Sequence, residues 1–287
     1  MSDRLSLPDE LGFTTTRIEC ELESGGTSLG TGFFFRFYCV DGSCVPLLIT
    51  NKHVVEGGTS IRTRFTCSTP AGAPILDRHT DFVIDRNSAP WLDHPDPAVD
   101  LCAIPLAQTD LALHDSGRSP FYRTFNPQQI ANVGAHVDLS AMEEIIMVGY
   151  PAGLSDRANN LPIFRKGITA TRPDLDYNGA KEFLVDVACF CGSSGSPIVF
   201  APTGPRWTRD GNLTPADGQA ALLGVLYAGP QYTVEGTIDI SPVPTSVNGV
   251  ATSNIPMNLG LVIKAQEIMG FREVLEGLEG AIPILAP

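Results

Sequence analysis

A serine set between glycines, a histidine just past an apolar strand and an aspartate opening another are the residues of this chain that could do chemistry together. The serine lies in Gly192-Ser193-Ser194-Gly195-Ser196-Pro197, after the strand-like run 183–187 and before Ile198-Val199-Phe200. A hydroxyl attacks only when a base takes its proton, and the charge it creates on a carbonyl oxygen needs donors already in place. Glycine at 192 lets backbone N–H groups turn toward one point with no side chain in the way. Alone, such a hexapeptide also suits an ordinary turn. Its meaning comes from His53, in Ile49-Thr50-Asn51-Lys52-His53, and from Asp100, in Asp100-Leu101-Cys102-Ala103-Ile104. An imidazole held by a carboxylate beside a hydroxyl is the arrangement of nucleophilic acyl transfer. His79, His94, His114 and His136 have no such company, and a single histidine at a strand end is usually just a boundary residue. Asp93 and Asp96 compete with Asp100 by proximity but sit in a proline-broken loop, whereas Asp100 leads an apolar run.

The order His, Asp, Ser, with gaps of 47 and 94 residues, together with these three motifs resembles the chymotrypsin/trypsin-like serine peptidases. The resemblance covers roughly residues 28–265 and lies in pattern rather than close identity. Gly192–Pro197 is most similar to simple bacterial members, such as the glutamyl endopeptidases and the high-temperature stress proteases. Gly30-Thr31-Gly32-Phe33, Val148-Gly149-Tyr150-Pro151 and Asp186 add to it. It implies an all-β fold of two six-stranded antiparallel barrels, with the active site between them and a C-terminal helix. The whole of 1–287 would form one peptidase domain, with about 12–128 as the first barrel and connection, 129–265 as the second barrel and 266–279 as the helix. It further implies a His53/Asp100/Ser194 triad, an oxyanion hole from the N–H groups of Gly192 and Ser194, and a substrate pocket from Ala188, Cys189, Phe190, Tyr227, Ala228 and Gly229. With no carboxylate at the pocket floor and Cys189 where glutamyl endopeptidases have threonine, the expected side chain at the cut is small or medium and apolar.

The chain also departs from that family. Ser193 stands where digestive members have an aspartate that pairs with a newly cut N-terminus, Val54 where secreted members have a cysteine, and Tyr227 where digestive members have a serine supporting the aspartate.

Composition narrows the partners. A formal net charge of −13 disfavours nucleic acid and anionic membranes. A hydrophobic fraction of 43% with 18% charged residues provides a sizeable core. The 23 prolines and 28 glycines suit short strands and many turns. Seven cysteines, at 20, 39, 44, 67, 102, 189 and 191, show neither a disulfide framework nor the paired CxxC spacing of a zinc site. No metal and no cofactor is expected. Residues 1–10 lack an apolar core like that of a signal peptide, and no run is apolar enough for a membrane span. The expectation is a cytoplasmic protein of bacterial or phage type with reduced thiols, acting on protein or peptide substrates, with a regulatory partner or a second copy as further partners to consider.

The elements that must position these residues read mostly as strands. Expected strands cover 15–22, 33–38, 45–49, 61–67, 80–86, 145–148, 168–171, 183–187 and 221–226, with 106–140 as a mixed connection. Residues 201–219 read as an exposed loop, and 229–255 as a long irregular insert near the cleft. After Leu261 the period turns helical, with apolar positions at 268, 271, 274, 275 and 278. Two functions fit: an intracellular serine endopeptidase making selective regulatory, stress or defence cuts, and a peptidase-like binding or scaffold module with little turnover.

Overall fold

In the computed structural model the described residues are 5–38, 43–135, 137–202, 204–215, 220–238 and 249–278, with the main chain alone at 232–238 and 249–256. Cys39, the expected turn at 41–42, His136 and residue 279 lie outside them.

The first half forms one antiparallel sheet. Its strands are β1 (Thr15–Leu22), β2 (Thr27–Tyr38), β3 (Cys44–Thr50), β4 (Gly58–Ser68), β5 (Pro74–Asp85), β6 (Leu92–Asp93), β7 (Cys102–Pro105) and β8 (Pro120–Phe121). Hydrogen bonding runs β5-β4-β1-β2-β3-β7-β6, with β8 beside β4. No ladder joins β5 to β6 in this path; Ile84, Ala89, Trp91, Cys102 and Ile104 pack there in one buried cluster with Ile18, Phe34, Leu48 and Phe65. Side-chain burial, at about 25 cal/mol per Å² of apolar surface, holds these two edges together.

The second half is a closed six-stranded antiparallel barrel. It consists of β9 (Glu144–Gly149), β10 (Ile163–Thr169), β11 (Glu182–Asp186), β12 (Pro197–Phe200), β15 (Ala221–Ala228) and β18 (Leu259–Lys264), hydrogen-bonded in the order β10-β11-β18-β15-β12-β9. Two small hairpins stand outside it: β13 (Arg206–Trp207) with β14 (Leu213–Thr214), and β16 (Gln231–Ile238) with β17 (Gly249–Pro256). The second corrects the expected irregular insert. Main-chain pairing is continuous from Gln231 opposite Pro256 to Ile238 opposite Gly249, because Tyr232, Val234 and Ile238 favour extended backbone despite nearby prolines and glycines. Part of the expected loop at 201–219 is likewise the short β13–β14 hairpin, while 203 and 216–219 lie outside the described residues.

The C-terminal turn of the chain couples the two halves. A 3₁₀ stretch Ala265–Gly270 leads into an α-helix Phe271–Glu276, so the expected helix begins later and is shorter. Ile268 and Phe271, both fully buried, and Leu275 join a cluster containing Phe33, Phe35, Leu47 and Ile49 of the first sheet and Val148, Val199, Val225 and Ile263 of the barrel. His94 fixes the same seam, with Nε2 at 2.9 Å from the Glu267 carbonyl and its ring edge-on to Phe271. Among the described residues no helix is long and apolar enough to cross a membrane.

Candidate active site

His53 sits on a single helical turn, Lys52–Val55, immediately after β3. Val54 and Val55 are buried, and a side chain on Gly30 would lie 2.4 Å from Val54 Cγ1. Burial of the valines presses the turn against β2 and leaves the imidazole on the open side, where its side chain is 43% exposed. Asp100 meets it from the segment before β7. Its Oδ2 lies 2.5 Å from His53 Nδ1, and its Oδ1 accepts the His53 backbone N–H at 3.1 Å. Asn51 ties the other end, donating from Nδ2 to the Asp100 carbonyl at 2.8 Å. The carboxylate therefore grips ring and main chain at once, which fixes the imidazole's orientation. Asp93 and Asp96 make no such contact; Asp96 instead accepts from Lys52 Nζ through its carbonyl.

Ser194 is held near the end of β3 by close main-chain packing. The peptide between Ser194 and Gly195 bridges the two halves: its carbonyl accepts from Thr31 N–H at 2.8 Å, and its N–H donates to the Leu226 carbonyl at 2.8 Å. Gly195 has a φ of +86°, and a Cβ there would lie 1.9 Å from the Thr31 carbonyl and 2.7 Å from Thr50 Oγ1, three residues before His53. Only glycine fits. The Ser194 hydroxyl donates to the Tyr227 carbonyl at 3.4 Å; it makes no hydrogen bond to His53 among those of the described residues.

The N–H groups of Gly192 and Ser194 have no acceptor among the described residues, and the structure shows what turns them outward. The Cys191 carbonyl is held by Ala152 N–H at 2.5 Å and the Ser193 carbonyl by Ser196 N–H at 3.0 Å. In a trans peptide, C=O and N–H point in opposite directions, so pinning these two carbonyls aims the following N–H groups away from the core. The Gly192 carbonyl is itself tied to the Thr31 hydroxyl at 2.9 Å, and that hydroxyl accepts Tyr150 N–H at 3.1 Å. Thr31, which is buried and lies within the Gly30–Phe33 motif, and exposed Ala152, held at a φ of +50°, thus shape this candidate site though neither was assigned a role in it. The glycines flanking Thr31 were the available signal for the first; nothing local marks the second.

Beside Ser194 lies a cavity of about 490 Å³ lined by Cys189, Phe190, Tyr227, Ala228 and Gly229, with Cys191, Leu226, Pro230, Gln231 and Leu259. Ala188, also expected there, is not in the lining; its carbonyl accepts from the Arg165 guanidinium. Tyr227 is the extra residue of a bulge in β15, where Leu226 opposes Val262 and Ala228 opposes Leu261. The bulge re-aims its groups: the carbonyl faces Ser194 and the phenol donates to Glu182. Burial and the Glu182 carboxylate beside it raise the Tyr227 pKa far above its usual range, with a smaller contribution from Asp100. The Cys189 thiol, which donates to the Val187 carbonyl at 3.2 Å, is pushed up to about 11 by burial. It is a poor nucleophile at neutral pH. No group of three or more His, Cys, Asp or Glu side chains is placed to hold a metal among the described residues.

Residues 30–204, more than half of the chain, match the family described as a trypsin-like peptidase domain. No curated protein matches by sequence. Among solved structures, a mutant of tobacco etch virus protease aligns at 13% identity and a TM-score of 0.47, covering 99% of this chain and 86% of its own. HL collagenase aligns at 11% identity and 0.47, covering 93% and 94%. A structure named GrC aligns at 14% and 0.46, covering 96% of each chain.

Proposed function

The chain belongs to the trypsin-like peptidase family, and from that premise we propose that it is a serine endopeptidase with Ser194 as nucleophile. His53 Nε2 takes the hydroxyl proton as Oγ bonds to the substrate carbonyl carbon, then returns that proton to the leaving amine as the C–N bond breaks. Asp100 keeps the ring's proton on Nδ1, so Nε2 is bare at the start, and it stabilises the imidazolium that forms. For attack the hydroxyl must leave the Tyr227 carbonyl and turn to Nε2, which calls for a change of χ1 between staggered wells. The N–H groups of Gly192 and Ser194 receive the developing oxyanion, each worth roughly 3 kcal/mol. Water then enters where the amine left, and the same groups release the acyl chain.

The observation that carries this reading is a carboxylate-held imidazole three residues past Thr50, whose hydroxyl packs at Gly195, together with two N–H groups of the Ser194 turn that have no acceptor among the described residues. Among the described residues no lysine, arginine, aspartate or glutamate lines the adjoining cavity, which supports a small or medium apolar side chain at the cut. Unpaired thiols at Cys20, Cys67, Cys102, Cys189 and Cys191 support an enzyme of a reducing compartment, making selective regulatory, stress or defence cuts. The Ser194–Tyr227 contact favours the second reading, a binding module in which the hydroxyl stays parked.

A fluorophosphonate probe separates the two. The proposal requires rapid labelling of the purified chain, abolished in S194A and unaffected by prior iodoacetamide. Absence of labelling in a folded wild-type chain supports the binding module, and labelling abolished by iodoacetamide moves the chemistry to a thiol.

A further inference from the structure

A second cavity, of about 430 Å³, carries a charge opposite to that of the whole protein. It opens between β1, β4 and the segment after β9, and four arginines line it: Arg17, Arg62, Arg64 and Arg157, against two carboxylates, Glu19 and Asp81. On a chain of formal charge −13, this is a local excess of cations. The four are not equivalent. Arg64 grips Asp81 with Nε at 2.6 Å and Nη2 at 2.9 Å, and Arg17 holds Glu19 at 2.7 Å. Arg62 reaches Glu19 and Glu21 only at 3.9 and 4.0 Å, and Arg157 makes no ion pair among the described residues. The first two are neutralised and shape the walls. The other two keep guanidinium forks whose parallel N–H groups match a carboxylate.

Position indicates where such a carboxylate would come from. Arg17 pairs across β1 and β2 with Thr31, the residue holding the Ser194 and Gly192 carbonyls. Tyr150, also in the cavity lining, donates to the Thr31 hydroxyl and stands two residues before Ala152, which pins Cys191. Thr31 and Leu226 bind opposite ends of the one trans peptide at Ser194–Gly195, so they flank the nucleophile on opposite sides. A substrate whose acyl part lies along 227–229 sends its leaving-group residues past Thr31 toward the arginines.

Resting on the serine-peptidase reading, we propose that Arg62 and Arg157 form a subsite for acidic side chains a few residues beyond the cut bond. The protein then selects substrates with Asp or Glu on the leaving-group side.

The test has two arms, both on the full chain. In the S194A chain, fluorescence anisotropy follows a labelled hexaglutamate peptide at low ionic strength, with hexaglutamine as the neutral counterpart. Hexaglutamate should bind, hexaglutamine should not, and R62Q/R157Q should weaken binding about tenfold, as for partly exposed charge pairs removed together. R123Q/K166Q, which removes two exposed cations elsewhere, should bind like the parent; melting curves check folding of both. Absence of hexaglutamate binding, or equal binding to R62Q/R157Q, overturns the site. In the active chain, mass spectrometry of a cleaved peptide pool should show Asp and Glu enriched within about four residues after the cut, lost in R62Q/R157Q. A flat profile overturns the placement. A chain that binds hexaglutamate but cuts nothing overturns the peptidase reading, and with it the subsite's role, while leaving an anion site in place.

Discussion

Replacing Gly192 by alanine should separate the oxyanion hole from the stability of the fold. Gly192 has a φ of +84°, and a Cβ there would lie 2.6 Å from the Tyr150 carbonyl oxygen. That oxygen cannot retreat freely, because it accepts Gly153 N–H at 3.0 Å. The left-handed backbone costs a non-glycine residue about 1–2 kcal/mol. Relieving the contact requires segment 191–193 to move by about 0.6 Å, which takes a hydrogen bond of normal length out of range. Losing one oxyanion donor slows acyl transfer by about 10²–10³, or roughly 3–4 kcal/mol. The strain alone lowers the melting temperature only by about 3–6 °C in a domain of this size. G192A should therefore remain folded at 25 °C and react with a fluorophosphonate at least about a hundredfold more slowly. Rate constants from a labelling time course, beside a thermal melt, measure both. A folded G192A chain labelled within about fivefold of wild type would refute the assignment of this N–H.

D100N keeps an acceptor for the His53 N–H but faces Nδ1 with a donor, which forces the other tautomer. Labelling and peptide cleavage should fall by about 10⁴ with little change in melting temperature, and a loss under tenfold would show that Asp100 does not orient the ring. The acidic-subsite test above reads out separately, as a change in substrate choice in R62Q/R157Q. Asp110 offers a pH test remote from the site. It is buried, accepts from Tyr122 Oη at 2.5 Å through Oδ2 and leaves Oδ1 without a partner. Burial pushes its carboxyl up to about 6. The folded chain thus holds this proton more tightly than the unfolded chain. Its stabilising effect is full below about pH 4 and is lost as pH rises through 6, a swing of about 3 kcal/mol. D110N mimics the protonated form, so it should leave the melting temperature near wild type at pH 4 and raise it at pH 8; an equal shift at both would contradict the assignment.

The residues that carry the proposed chemistry were legible because each lies in a short motif at a strand end. His53 follows the apolar β3, Asp100 precedes β7 and Ser194 lies in the glycine turn before β12. Alternation in 15–22 and the apolar run 45–49 likewise marked β1 and β3 nearly to the residue. What stayed hidden depends on distant main-chain contacts. The outward aim of the Gly192 N–H comes from Ala152, 39 positions before Cys191, and no side-chain pattern encodes a carbonyl contact. The phenol of Tyr227 meets Glu182 only because a bulge turns it. The arginine cavity gathers residues 17, 62, 64 and 157, which share no motif. In β16 Tyr232 and Val234 carry a period-two signal, but it is short and set among the prolines and glycines of 229–255, which resemble those of a loop.

The central claim is that one hydroxyl, one imidazole and two backbone N–H groups act on a single carbonyl. A crystal structure of the chain after reaction with a fluorophosphonate tests it directly. Phosphorus should be bonded to Ser194 Oγ, with a phosphonyl oxygen about 3 Å from both the Gly192 and Ser194 nitrogens and His53 Nε2 turned to the adduct. Phosphorus on another side chain, or on Ser194 with its oxygen aimed away from those nitrogens, would contradict the account.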